Sequence, residues 1–175
     1  MTITVRKAKI QDIPALLEMN DDFNGPGSTV YRAASIDDLE VISELSVLMC
    51  SSDYCGEHDE NFLINGLQNP EAALFLAFDG NKAIGFSHVF IRHEWFWTES
   101  EDGPVGYLDT IYVCPGYRNR GIAQALVLNC ENWSRENGCV EFASGCDLDN
   151  EDSLAFHLKI GFKEIHRIIH LSKGL

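Results

Sequence analysis

The chain has 175 residues, a formal net charge of −14 at pH 7, 45% hydrophobic residues and 23% charged ones. This is the length and composition of one globular domain with a core of its own, and no apolar run approaches the roughly 20 residues that cross a bilayer. The acidic balance speaks against nucleic acid and anionic membranes as partners and suits a cationic substrate, although it serves solubility equally well.

The opening "MTITVRKAKIQD" lacks the apolar segment of an export signal, so a cytoplasmic protein is expected. "VRKAKIQDIPALLEM" (5–19) and "VYRAASIDDLEVISEL" (30–45) look alike, with Arg6, Ala8, Ile10, Asp12 and Ile13 matching Arg32, Ala34, Ile36, Asp38 and Leu39. Each reads as a short strand, a turn and a helix, with the breaker-rich "NDDFNGPGS" (20–28) between them. Either one copy is the first core strand and the other an addition, or the likeness is chance.

"LFLAFDGNKAIGFSHVFIR" (74–92) predicts two strands, near 73–79 and 82–93, around the turn Asp79-Gly80-Asn81. Next, "RHEWFWTESEDG" sets Trp95, Phe96 and Trp97 beside Glu94, Glu99, Glu101 and Asp102. It reads either as a lid that draws in an amine by charge and cation–π contact, or as a surface loop with an aromatic anchor. "VGYLDTIYV" predicts a strand over 105–114, stopped by Pro115. The helix predicted over 121–138 turns Ile122, Ala125, Leu126, Leu128 and Trp133 inward and ends at Gly138. A strand over 140–146, a helix over 150–161 capped by Asn150 and closed by Gly161, and a last alternating strand over 163–172 complete an α/β arrangement. The cysteines, at 50, 55, 114, 130, 139 and 146, contain no C-x-x-C pair, so free thiols are expected. His166 and His170 share a strand face without ligand geometry, and no metal is expected.

"YRNRGIAQAL" (117–126) places two arginines and a glycine at the junction of a strand and a helix. A helix start leaves several backbone N–H groups unpaired, and these attract phosphate. Gly121 and the small Ala123 let a ligand come close, and Arg118 and Arg120 add positive charge. No Gly-Lys-Ser/Thr follows and G-x-G-x-x-G is absent, so neither a Walker loop nor a dinucleotide fingerprint is present. Taken alone, the stretch reads as an anion site or as a tight turn with solvated arginines.

Arg118-x-x-Gly121-x-Ala123 after "LDTIYVCPGY" resembles the acetyl-coenzyme A loop of the GCN5-related N-acetyltransferases, and "NEDSLAFHLKIGF" resembles the superfamily's "N-x-x-A-x-x-L-Y-x-K-x-G-F" at Asn150, Lys159, Gly161 and Phe162. His157 in place of the tyrosine, together with "IGFSHVFIRHEW", "PVGYLDTIYV" and "NGCVEFAS", is similar to the aminoglycoside 6′-N-acetyltransferase branch. The likeness spans about residues 29–172, which makes 29–33 the first core strand, 29–175 the acetyltransferase region of a single domain, and 1–28 an extra strand–helix piece.

The resemblance implies a GNAT-like mixed twisted sheet and transfer of an acetyl group from acetyl-CoA to a primary amine of a small cationic acceptor. It implies that the pyrophosphate meets the backbone of Arg118, Asn119, Arg120, Gly121, Ile122, Ala123 and Gln124. The pantetheine arm would lie along Ile111, Tyr112 and Val113, with Asn150 and Ser153 beside it. Asp109 corresponds to the branch's acid and is the candidate proton acceptor, directly or through a water. His157 is the candidate acid for the leaving thiolate, or a packing histidine near the cofactor. A backbone N–H freed by a bulge around Ile111–Val113 would hold the thioester oxygen.

Glu94, Trp95, Asp109 and Asp147 are candidate acceptor contacts. The branch's other two acids are replaced by Gly145 and His166, and Asp147 shares strand parity with Gly145 if that strand continues. A homodimer is expected. The alternatives are an acetyl-CoA-binding regulatory module, and acetylation of a peptide or protein.

Overall fold

The computed structural model describes residues 29–50, 60–93, 103–169 and 171–174. Within them, β1 (Thr29–Ala33), β2 (Ala72–Asp79), β3 (Lys82–Arg92), β4 (Val105–Val113) and β5 (Glu141–Ser144) form one sheet in chain order. The first four strands run antiparallel, and β5 lies parallel to β4. The helices are α1 (Leu39–Cys50), α2 (Glu60–Gln68), α3 (Ile122–Glu136) and α4 (Glu151–Lys159). The parallel step from β4 to β5 requires a crossover, and α3 supplies it.

The period-2 alternation of β2 sorts two cores. Phe75 and Ala77 join Val89, Leu108, Ile122, Leu126 and Cys130 on the α3 side. Leu74 and Leu76 join Ile42, Leu45, Leu63, Phe86 and Tyr112 under α1 and α2. Each fully buried aliphatic or aromatic side chain contributes roughly 1.5–3 kcal/mol. The inner stripe of α3 is Ile122, Leu126, Val127, Cys130 and Ser134, while Ala125, Leu128 and Trp133 are half-buried at its margins. α3 can lie close to β4 because position 106 is glycine: a Cβ there would fall 2.2 Å from Ser134 Oγ.

Residues 29–33 are the first strand described, and the similar segment 5–19 lies outside the described residues. β5 stops at Ser144 instead of reaching 146. The strand expected over 163–172 is absent: residues 163–169 have irregular backbone. Its alternating pattern favours a strand, but a strand exists only when a ladder partner takes its N–H and C=O groups, and among the described residues the sheet ends at β5. Ile165, Ile168, Ile169 and Leu171 consequently stand exposed.

A bidentate ion pair ties β1 to the start of α1. Arg32 donates to both oxygens of Asp38, at 2.8 and 2.6 Å, and Asp38 Oδ2 also accepts from the backbone N–H and hydroxyl of Ser35. The Arg32 guanidinium and these hydrogen bonds hold the Asp38 carboxyl well below the usual carboxylate range. A depressed native pKa contributes stability that is complete above the unfolded value of about 4 and is lost as pH falls through the lowered native value. Asp38→Asn should therefore destabilise the fold by about 1–3 kcal/mol at pH 7. The difference from the parent should shrink as denaturation is repeated at progressively lower pH below about 4.

Candidate active site

The sheet divides within β4. Pairing with β5 runs from Val105↔Glu141 to Leu108↔Ser144 and stops there. Beyond Leu108, the β4 edge that faced β5 opens, while its other edge stays paired to β3 up to Val113. The fork is latched at its vertex, where Ser144 Oγ donates to the Leu108 carbonyl at 3.0 Å. His157, on α4 and buried, braces the latch. Its Nδ1 lies 2.7 Å from the Ser153 carbonyl and so carries the hydrogen. Its Nε2 lies 3.1 Å from Ser144 Oγ, and the ring stands edge-on to Phe156 and Phe162. The single hydroxyl hydrogen of Ser144 serves either Leu108 or Nε2. Asn150 caps α4 by accepting from the Ser153 N–H at 3.0 Å.

β4 leads into a 3-10 turn, Pro115–Tyr117, and then into α3. Arg118 folds back so that its Nε donates to the Val113 carbonyl at 2.9 Å. Arg120 donates to the Gly116 carbonyl at 2.9 Å. Asn119 and Gly121 have positive φ, 62° and 82°. This geometry turns the chain sharply, and it leaves Gly121 as an N-cap without a side-chain hydrogen bond to the helix start. The first N–H groups of α3, at Ile122, Ala123 and Gln124, have no intrahelical acceptor. A Cβ added at Gly121 would meet nothing within 4 Å, so the approach to these donors is open. Uncapped donors, an open approach and two flanking arginines fit a pyrophosphate.

Asp109 occupies a β-bulge. The β3–β4 register passes from His88↔Thr110 to Val89↔Leu108, so Asp109 is the extra residue. The bulge expected around Ile111–Val113 therefore lies earlier, and the ladder is regular from Thr110 to Val113. An extra residue in one strand re-aims its side chain. The Asp109 side chain is 27% exposed, its Oδ2 accepts from Thr110 Oγ1 at 3.0 Å, and His88 Nδ1 stands 3.5 Å from the same oxygen.

A cavity of about 510 Å³ opens between the β4–β5 fork, α4 and the C-terminal segment. Arg92, Tyr107, Gly145, Asp147, His157 and His166 lie in its wall, and Asp109 lies outside that lining. The Arg92 guanidinium sits 4.3 Å from the Tyr107 ring centroid. Burial pushes the Tyr107 phenol up, opposed by nearby Arg92. A Cβ at Gly145 would meet the Tyr107 hydroxyl at 3.0 Å, so this phenol abuts the place where the resemblance expects a carboxylate. Asp147 reaches the cavity from irregular chain beyond β5 and not by continuing the strand. Glu94 and Trp95 lie outside the described residues. His88, Arg92, Tyr107 and Ser144 belong to this region and were not selected from sequence; a histidine within the apolar run of β3 was the available signal for the first.

A sheet split beside an uncapped helix start, with a carboxylate displayed at the split, is a geometry that can hold a phosphate-bearing molecule beside a proton acceptor. The Acetyltransferase (GNAT) family model matches residues 39–162. Aminoglycoside N(6′)-acetyltransferase type 1 of Acinetobacter genomosp. 13 is 39% identical over 123 residues, covering 68% of this chain and 84% of that protein. The protein of the same name from Salmonella typhimurium is 35% identical over 121 residues, covering 67% and 83%. Among solved structures, AAC(6′)-Iy in complex with the bisubstrate analog CoA-S-monomethyl-acetylneamine superposes with TM-score 0.73 at 30% identity, covering 84% of this chain and 99% of that one. The same enzyme with CoA gives TM-score 0.75 at 29% identity, covering 86% and 97%. The chain belongs to the GNAT family of acetyltransferases, and it is an acetyl-CoA-dependent N-acetyltransferase.

Gly121→Asp should keep the fold, because aspartate tolerates positive φ better than most residues. It places a carboxylate in front of the open donors, and charged hydrogen bonds are worth roughly 1.5–3 kcal/mol each. Calorimetry with CoA should show affinity reduced by about 10- to 100-fold.

Proposed function

We propose that the acceptor is the primary amine of a small polycation of the aminoglycoside type. The observation that carries this reading is the Asp109 carboxylate, thrust out by the bulge where the sheet forks. The relatives' names and the acidic chain support it, since net charge −14 draws polycations by long-range attraction. In this reading the acceptor ammonium gives a proton to Asp109, directly or through a water. The amine nitrogen then attacks the thioester carbon, the C–N bond forms, the C–S bond breaks, and the departing thiolate takes up a proton. A carboxylate is a weak base toward an ammonium, and a water relay eases the transfer.

The uncapped amides at Ile122–Gln124 and the backbone from Arg118 hold the donor's pyrophosphate in this scheme. The open β4 edge from Ile111 to Val113 receives the pantetheine arm, with Asn150 and Ser153 across the fork. His157, engaged by Ser153 and Ser144, supports the fork. With Nδ1–H held by the Ser153 carbonyl, proton donation from Nε2 to the thiolate requires the doubly protonated ring as well as release from Ser144. Asp147 contributes negative charge to the cavity wall, and Glu94 and Trp95 complete the acceptor side. The absence of a carboxylate at Gly145 and the nearby Arg92 cation favour acceptors with fewer charges than the most highly charged aminoglycosides.

The protein works in the cytoplasm as a homodimer in this reading. The four described cysteines that are free thiols, Cys114, Cys130, Cys139 and Cys146, fit a reducing compartment. The exposed Ile165, Ile168, Ile169 and Leu171 supply an apolar surface for a second copy. Light scattering should give a mass near twice 19.6 kDa.

A thiol-release screen with acetyl-CoA against aminoglycosides, polyamines and peptides tests the acceptor; turnover confined to peptides would overturn the reading. With the best amine, Asp109→Asn should lower kcat by about 100-fold or more and leave acetyl-CoA affinity unchanged. Full activity of this variant at every pH would remove Asp109 from the role.

A further inference from the structure

The imidazole behind Asp109 has no place in the scheme above. His88 sits in the middle of β3, is 4% exposed, and is cross-strand partner to Thr110. Its Nδ1 lies 3.5 Å from Asp109 Oδ2, the oxygen that also accepts from Thr110 Oγ1. Its ring packs 5.7 Å from that of Phe90, and on its far side Nε2 faces α2 at Gly66.

Two features mark this as a built arrangement. A Cβ at Gly66 would stand 3.0 Å from Nε2, tighter than ordinary contact. Glycine inside a helix costs about 1 kcal/mol relative to alanine, and here it leaves room for the imidazole. A buried polar ring in an apolar strand is itself costly unless its nitrogens are used. The bulge supplies the second feature: it swings Asp109 over His88 and so brings a carboxylate oxygen to Nδ1.

We propose that His88 is the positioning residue for Asp109. Its Nδ1–H and the Thr110 hydroxyl hold Oδ2 from beneath, so that Oδ1 is the oxygen presented to the acceptor amine. The present 3.5 Å is at the outer edge of hydrogen-bond reach, and catalytic hydrogen bonds often tighten once substrate is in place. The bulge makes such a clamp necessary, because a bulged residue lacks the regular ladder that fixes its neighbours. This inference rests on Asp109 as the proton acceptor.

The test compares His88→Asn, whose amide nitrogen can donate from near the Nδ1 position, with His88→Leu, which fills the space and donates nothing. Positioning predicts that His88→Leu lowers kcat by about 10- to 100-fold at unchanged KM for acetyl-CoA, and that His88→Asn recovers most of the loss. A packing role predicts the reverse order, because leucine fills the apolar strand better than asparagine. In an Asp109→Asn background, His88→Leu should add less than a twofold further loss. An Asp109→Asn single variant at full activity sinks both the base and its positioning. An impaired Asp109→Asn with His88→Leu unaffected, or fully additive, sinks the positioning alone. Should the His88 variants fail to fold, imidazole nitrogen NMR decides between the outcomes. The His88 Nδ1 resonance should shift between the parent protein and Asp109→Asn, and an unchanged resonance overturns the proposal.

Discussion

The architecture turns on one interruption, the end of β4–β5 pairing at Leu108 and Ser144. Up to that point the parallel pair is closed. Beyond it, the β4 edge has no strand beside it among the described residues, and at its end the Val113 carbonyl is taken by Arg118 Nε. In the proposed scheme the partner is the donor substrate, and the fork serves as its binding slot. What keeps the fork from zipping further is local: β5 has four residues, and Ser144 spends its side chain on the Leu108 carbonyl while His157 holds Ser144 from α4.

The bulge at Asp109 sits immediately past the vertex, and the two irregularities depend on each other. A bulge in a strand paired regularly on both edges would disturb two ladders. Here it disturbs only the one with β3, because β5 has already ended. The 3-10 turn Pro115–Tyr117 carries the chain from the end of the open edge to the uncapped start of α3, while glycine at 106 lets the far end of that helix, at Ser134, lie close to β4. The bulged carboxylate at Asp109 and the strand end at Val113 that leads to the uncapped helix start thus stand at opposite ends of one short stretch.

How much of this was legible in the sequence depended on how local the cause is. The junction at 117–126 was readable because its determinants are adjacent in the chain: a strand stop at Pro115, left-handed positions at Asn119 and Gly121, and the apolar period of α3. The strands β1 to β4 were readable from alternation and turn residues. The position of the bulge was not, since it results from counting residues in two strands against each other. His88 was passed over because a histidine in an apolar run looks like core until the strand opposite is known. The strand expected over 163–172 failed for the complementary reason, since alternation states a preference that only a neighbouring ladder can satisfy. Asp109 was legible as a residue, through its match to a family motif, but not as a bulge.

The absence of a side chain at Gly121 has a consequence for how this enzyme can change over generations. In the proposed scheme the donor is met chiefly by main chain, which every residue possesses, so substitutions at the junction that keep the turn and add no negative charge leave the grip intact, and the acceptor side differs. The acceptor is met by side chains on strands and in the irregular chain after β5, where a single replacement alters charge or shape. Coenzyme dependence is therefore robust to mutational drift while acceptor preference is labile.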